Sequence, residues 1–153
     1  MPRTSQRLRK LVRDAAKNRC EYCQTLQEMT LAAFHVDHII PQALGGSGEF
    51  ENLCLSCPFC NEFKAGKSRA TDPQTGRRVQ LFNPRRDRWL RHFRWSHDGT
   101  QLVGRTARGR ATVVALRMNN QIARTARRFW VASGIHPPKP TSSHKKRQSP
   151  RAS

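Results

Sequence analysis

The chain has 153 residues, 36% of them hydrophobic, with 29 Lys and Arg against 10 Asp and Glu and a formal net charge of +19. This length holds one modest domain or a compact core with extensions, and so thin an apolar content makes a metal staple useful, because small domains bury little apolar surface. The charge repels itself in the folded state and calls for a polyanionic partner, DNA or RNA foremost; no apolar run is long enough to span a bilayer, and MPRTSQRLRKLV lacks the apolar core of a secretory signal, so a cytoplasmic protein with no membrane partner is expected.

Residues 5–18 predict a helix. Leu8, Leu11, Val12 and Ala15 fall on one face, Ser5 is a suitable cap, and Arg7, Arg9, Lys10, Arg13 and Lys17 cover much of the rest. Asn18 and Arg19 lead into CEYC, which holds Cys20 and Cys23. The stretch 29–34 fits either a short strand or a helical turn. Residues 35–40 are β-compatible and end at Pro41, and GGSG at 45–48 predicts an exposed loop. Asn52 and Leu53 open another short ordered piece. Cys57 and Cys60 follow in CPFC, and a short helix is expected from Pro58, with Gly66 as its stop.

Residues 66–80 read as a polar, basic, turn-rich connection. Beyond Leu81, Phe93 and Trp95 alternate as in a strand, Asp98-Gly99 predicts a tight turn, and Leu102 and Val103 supply the return strand. A helix is expected at 112–118 and another at about 121–133, the latter with Ile122, Ala126, Phe129 and Trp130 on one face and Gly134 as its stop. Trp89, Phe93, Trp95, Phe129 and Trp130 are expected to form a small satellite core, and His92, His97, His136 and His144 to lie on the surface. After Pro140 the Ser-, Lys- and Arg-rich tail lacks apolar periodicity and predicts disorder, with Lys145, Lys146 and Arg147 offering phosphate attraction.

Four of the five cysteines fall into the two CxxC pairs, a pattern that favours an intracellular metal site over a disulfide framework. Tetrahedral zinc takes four thiolates, and each CxxC turn places two sulfurs within reach of one ion. The 33 residues between Cys23 and Cys57 must then form a folded element held at both ends by the metal. A redox dithiol would require a thioredoxin-like βαβ unit, which the pattern does not offer. Cys54, left over, reads as a small buried residue.

The enclosed segment holds Asp37, His38 and Asn52, and Asn61 follows the last knuckle cysteine directly. Phosphodiester hydrolysis needs a base to activate water, a divalent cation to offset charge on the phosphate, and hard oxygen ligands to hold that cation. Asp37 and Asn61 supply oxygens and His38 an imidazole that is neutral near pH 7. Each has a plainer reading: Asp37 as a cap or bridge, His38 as a structural histidine, Asn61 as a helix cap, Asn52 as ordinary turn chemistry. His35 shares the face of Asp37 on a strand and is a candidate auxiliary group.

CEYC, VDHIIP, the GG loop, ENL and CPFCNEFK, spanning about residues 20–64, together resemble the HNH endonucleases, and in particular small standalone bacterial or phage types with a four-cysteine zinc site. LFNPR and the aromatic and GRAT segments of 81–120 are similar to extensions of such proteins. The resemblance implies an α+β fold: a zinc-stabilised ββα-metal core, also called a His-Me finger, with an N-terminal helix and a mixed strand-helix C-terminal extension. It implies a nuclease core with basic helix at 1–80, a basic hairpin and helical extension at 81–138, and a basic tail at 139–153.

By the same resemblance His38 is the general base, Asp37 and Asn61 hold one Mg2+ or Mn2+, Asn52 fixes the loop and orients the base, and Cys20, Cys23, Cys57 and Cys60 hold structural zinc. Asn61 stands where the family name has a final histidine. The implied activity is metal-dependent DNA hydrolysis giving 5′-phosphate and 3′-hydroxyl ends. The expected partner is double-stranded DNA, met by a monomer or weak dimer. Lys64, nearly one helical turn past Asn61, is placed to reach a phosphate or to face solvent, and Lys67 and Arg69 extend the same ridge. Arg124, Arg127 and Arg128 form either a DNA-facing stripe or a solvated helix face. The competing functions are a noncatalytic zinc-containing module that binds DNA or RNA and a structural protein of a ribonucleoprotein.

Overall fold

The computed structural model describes residues 3–139. The predicted tail beyond Pro140, with Lys145, Lys146, Arg147 and His144, lies outside the described residues. Ser5 starts helix α1 (Gln6–Ala16) by accepting a hydrogen bond from Leu8 N at 3.1 Å, and Lys17 ends it in a left-handed conformation. Val12 and Ala16 are buried and Leu8 is half-buried, whereas Leu11, expected on the same face, is half exposed.

Strands β1 (His35–His38) and β2 (Leu53–Ser56) pair antiparallel, with His35 opposite Ser56 and His38 opposite Leu53. Every residue of β2 is buried, because α1 packs against it. Helix α2 (Pro58–Lys64) follows at once and packs on β1. Its start is encoded by the knuckle: Cys57 is the N-cap, its Sγ accepting from Cys60 N at 3.4 Å, and Pro58 occupies the first turn, where its missing N–H costs nothing. The helix stops one residue before the expected Gly66, at Ala65, whose φ is +47°.

Residues 66–80 are more ordered than their composition suggests. Strands β3 (Arg69–Thr71) and β4 (Arg78–Gln80) form an antiparallel hairpin. The buried Asp72 organises its turn, accepting from Thr75 Oγ1 at 2.7 Å and Gln74 N at 3.1 Å. Arg110 reaches the same carboxylate with two bonds of 2.9 Å and holds it well below the usual carboxylate range. A polar stretch becomes a hairpin because a distant arginine neutralises its turn.

A single-turn helix α3 (Trp89–His92) runs into β5 (Phe93–Trp95), which pairs with β6 (Leu102–Gly104) around the expected Asp98-Gly99 turn. Helix α4 (Ala107–Ala115) begins five residues before the expected 112, since Thr106 caps it by accepting from Gly109 N at 3.0 Å. Gly109 is required by close approach: a Cβ there would lie 2.0 Å from the carbonyl oxygen of His92. Helix α5 (Gln121–Ala132) starts at Asn120, whose side chain accepts from Ala123 N at 2.9 Å.

The aromatic residues divide unlike the predicted satellite core. The Trp89 ring packs at a tilt between Phe93 and Trp95, with centroids 5.2 and 5.8 Å away, and the three join the main buried cluster. Phe129 and Ile122 are exposed, because α5 turns Arg127 inward. His92 and His136 are also buried, against expectation: Nδ1 of His92 bonds Thr106 Oγ1 at 2.6 Å, and Nε2 of His136 meets the Gly99 carbonyl at 3.0 Å. Buried apolar residues run without a break from Val12 through Leu53 and Phe82 to Met118, so the 1–80 and 81–138 segments share one core. Among the described residues no helix is long and apolar enough to cross a membrane.

Candidate metal centre

The two knuckles converge. Cys20, Cys23, Cys57 and Cys60 are buried, and their sulfurs all lie within 4.8 Å of one another. Cys23 Sγ is 3.7 Å from Cys57 Sγ. Zinc–thiolate bonds of about 2.3 Å in a tetrahedron separate the sulfurs by about 3.8 Å, so the donor set fits a zinc ion. Burial pushes the Cys20 thiol up, while hydrogen bonds from the surrounding thiols pull Cys23 well below its ordinary value. Four crowded sulfurs of unequal acidity are what a dication relieves by taking all of them as thiolates.

Hydrogen bonds fix the first knuckle to the strands. Glu21 N donates to Leu55 O at 2.8 Å, and the Glu21 carboxylate accepts from Leu55 N at 2.8 Å. Tyr22, fully buried, packs edge-on against Phe82. Its hydroxyl has no hydrogen-bond partner, and burial beside Cys54 and Asp37 pushes it well above its usual range. Cys54 lies opposite Asp37 on β2, and burial raises its thiol far above the ordinary value, consistent with the small buried residue expected there.

Asp37 and His38 end β1. Nε2 of His38 is buried and has no hydrogen-bond partner. A buried polar group left unpaired costs about 1–3 kcal/mol, so one in a native fold demands a reason. Asn52 pins the loop that follows. Its Oδ1 accepts from Ile40 N at 2.8 Å, while Nδ2 donates to Ile40 O at 2.9 Å and Ser47 O at 2.8 Å. Gly46 completes this clamp: a Cβ there would lie 1.8 Å from Ile40 O and 2.8 Å from Asn52 Nδ2. Asn52 therefore fastens both ends of the GG loop, two residues past His38. His35 is exposed at the far end of β1.

Asn61 is half-buried on α2. Lys64 follows it by three residues on the same helix face, and its Nζ touches Asp37 Oδ2 at 3.1 Å and His38 O at 2.8 Å. That contact turns the Asn61 face of α2 toward the Asp37–His38 pair. The sequence expectation for Lys64 is corrected accordingly: it is 1% exposed and meets a carboxylate, not a phosphate or solvent.

Arg127 is corrected too. It is 2% exposed, donates to Thr100 O at 3.0 Å and Met118 O at 2.7 Å, and lies over the Trp95 ring. No DNA-facing stripe can include it. Lys67, Arg69, Arg124 and Arg128 are exposed. Three further arginines are engaged internally: Arg85 with Glu21, Arg108 with Asp87 and Arg110 with Asp72. Sequence reasoning did not find these pairs, since each joins segments at least 21 residues apart.

Two antiparallel strands and a helix, closed at both ends by a four-cysteine cluster and carrying Asp-His and Asn between, define an α+β metal-binding module. The family model for HNH endonuclease matches residues 20–66, the segment that carries both knuckles, Asp37, His38, Asn52 and Asn61. No curated protein and no solved structure was found to match the chain.

Proposed function

We propose that the protein is a metal-dependent DNA endonuclease that hydrolyses phosphodiester bonds. The observation that carries this reading is the buried, unpartnered Nε2 of His38 within the matched HNH segment, next to Asp37, which Lys64 of α2 contacts. Oxygen donors from Asp37 and Asn61 suit Mg2+ or Mn2+, hard ions that prefer carboxylate and carbonyl ligands. Such an ion supplies positive charge for the phosphate and leaving oxygen.

The remaining work belongs to the chain. His38 accepts the proton of the attacking water. Asn52 holds the backbone beyond His38 so that the ring does not drift, since a base displaced by about 1 Å loses much of its rate. Cys20, Cys23, Cys57 and Cys60 would hold zinc, which would tie the first knuckle to the start of α2, the helix that carries Asn61. The expected products carry 5′-phosphate and 3′-hydroxyl ends. Exposed Lys67, Arg69, Arg124 and Arg128, with the basic face of α1, supply phosphate contacts that position a duplex without reading its bases. One such site per monomer nicks one strand, and a weak dimer cuts both.

A supercoiled-plasmid nicking assay with Mg2+ or Mn2+, run beside His38→Ala, tests the reading. Nicking by the wild type and a loss of about a hundredfold or more in the variant are expected. A zinc-loaded, folded protein that binds DNA but cuts no form of it would instead be the noncatalytic module.

A further inference from the structure

An ammonium buried as deeply as that of Lys64 is costly unless its protons are bonded. Here the bonds go to two neighbouring residues of β1: Oδ2 of Asp37 at 3.1 Å and the carbonyl oxygen of His38 at 2.8 Å. Oδ2 is thus engaged by a fixed cation, while the side chain of Asp37 remains 20% exposed. We propose that Lys64 is a positioning residue of the divalent-ion site. It holds Asp37 by one oxygen, which aims the other, and its charge keeps the affinity of the site for a dication low. The inference rests on the reading of Asp37 as an ion ligand.

Three physical effects follow from the one contact. The bond to Oδ2 restrains rotation of the carboxylate, so Asp37 acts as a single-oxygen ligand. The positive charge offsets part of the carboxylate charge, and oxygen sites bind dications less tightly as ligand charge falls. The bond to His38 O ties the backbone of the base to the same nitrogen, so carboxylate and imidazole keep one relative position. Asn61, one turn earlier on the same helix face, is held in register with both.

The test uses the zinc-loaded full chain and follows Mn2+ binding by electron paramagnetic resonance, beside nicking at saturating Mn2+. Lys64→Met keeps the length of the side chain and removes its charge. Lys64→Gln keeps a neutral donor, should the Met variant fail to fold. Both are expected to bind Mn2+ more tightly, by about fivefold, and to nick more slowly. Tighter binding with slower turnover is a split that mere loss of packing does not produce. Unchanged or weaker Mn2+ binding in a folded variant overturns the proposal. So does a failure of both variants to fold with zinc supplied, which would make the ion pair a rivet of the fold. Asp37→Asn in parallel separates the two readings. If it abolishes Mn2+ binding while the Lys64 variants leave it unchanged, the role of Lys64 alone fails. If Asp37→Asn binds Mn2+ normally, the ion site itself is misassigned.

Discussion

Arg85 forks onto Glu21: Nη1 lies 2.6 Å from Oε1 and Nη2 lies 3.3 Å from Oε2. Glu21 sits inside the first knuckle, and its carboxylate also accepts from Leu55 N on β2. Arg85 further donates to Phe50 O and covers the Phe50 ring. Trp89, on the same side of the chain, donates from Nε1 to Tyr22 O at 2.8 Å. The C-terminal extension therefore grips the knuckle through its backbone and its one acidic residue.

Both partners of that pair are nearly buried. Arg85→Ala leaves the Glu21 carboxylate enclosed with a single backbone donor and should destabilise the fold by about 3 kcal/mol. Chemical denaturation of the zinc-loaded protein checks this. A chain truncated after residue 80 should expose Tyr22 and lose its cooperative transition.

The Asn52 clamp predicts an effect on both stability and rate. Asn52→Ala orphans Ile40 N–H, Ile40 O and Ser47 O and should cost roughly 2–3 kcal/mol. Gly46→Ala should be at least as damaging, because its Cβ collides with backbone that cannot yield. At temperatures where Asn52→Ala is folded, nicking should still be slower than in the wild type while DNA affinity is retained. An unaltered rate would limit Asn52 to a structural role.

Arg127 and Arg128 are adjacent in sequence and should behave as opposites. Arg127→Met removes three hydrogen bonds, one of them to the buried Met118 carbonyl, and should lower stability by about 2–3 kcal/mol. Arg128→Ala should change stability by no more than about 0.5 kcal/mol. Its effect should appear in DNA affinity, with the salt dependence of binding shallower by about one charge. Melting curves and binding titrations at several salt concentrations separate the two.

Burial pulls the imidazoles of His92 and His136 below the ordinary 6.5. Groups with depressed folded values take up protons more readily when unfolded, so their contribution is full above pH 6.5 and is lost as the pH falls toward the folded values. The melting temperature should therefore be lower at about pH 5 than at about pH 7.5. Protonation of zinc thiolates acts in the same direction, so the comparison with variants isolates the histidines. His136→Gln keeps a donor for Gly99 O without titrating and should reduce the drop.

The cysteine pairs were legible because their information is local: residue type, spacing, and a knuckle that ends in a helix cap. The β5–β6 hairpin was legible through Asp98-Gly99 and its flanking alternation. The β3–β4 hairpin was not, since its turn depends on Arg110 meeting Asp72 across 38 positions. The apolar face of α5 was read correctly as a face and wrongly as an inward one, because periodicity reports a stripe and not what lies beneath it.

By itself, the sequence determined that this chain is small and strongly basic, and its two CxxC pairs named the four cysteines that cluster where a metal ion could be held. The tertiary structure alone decided which of its many cations turn inward. A buried lysine or arginine is tolerated only where its protons find acceptors. For Lys64 those are Asp37 and the His38 carbonyl, and for Arg127 the carbonyls of Thr100 and Met118. Neither set lies close enough along the chain for charge or spacing to announce it.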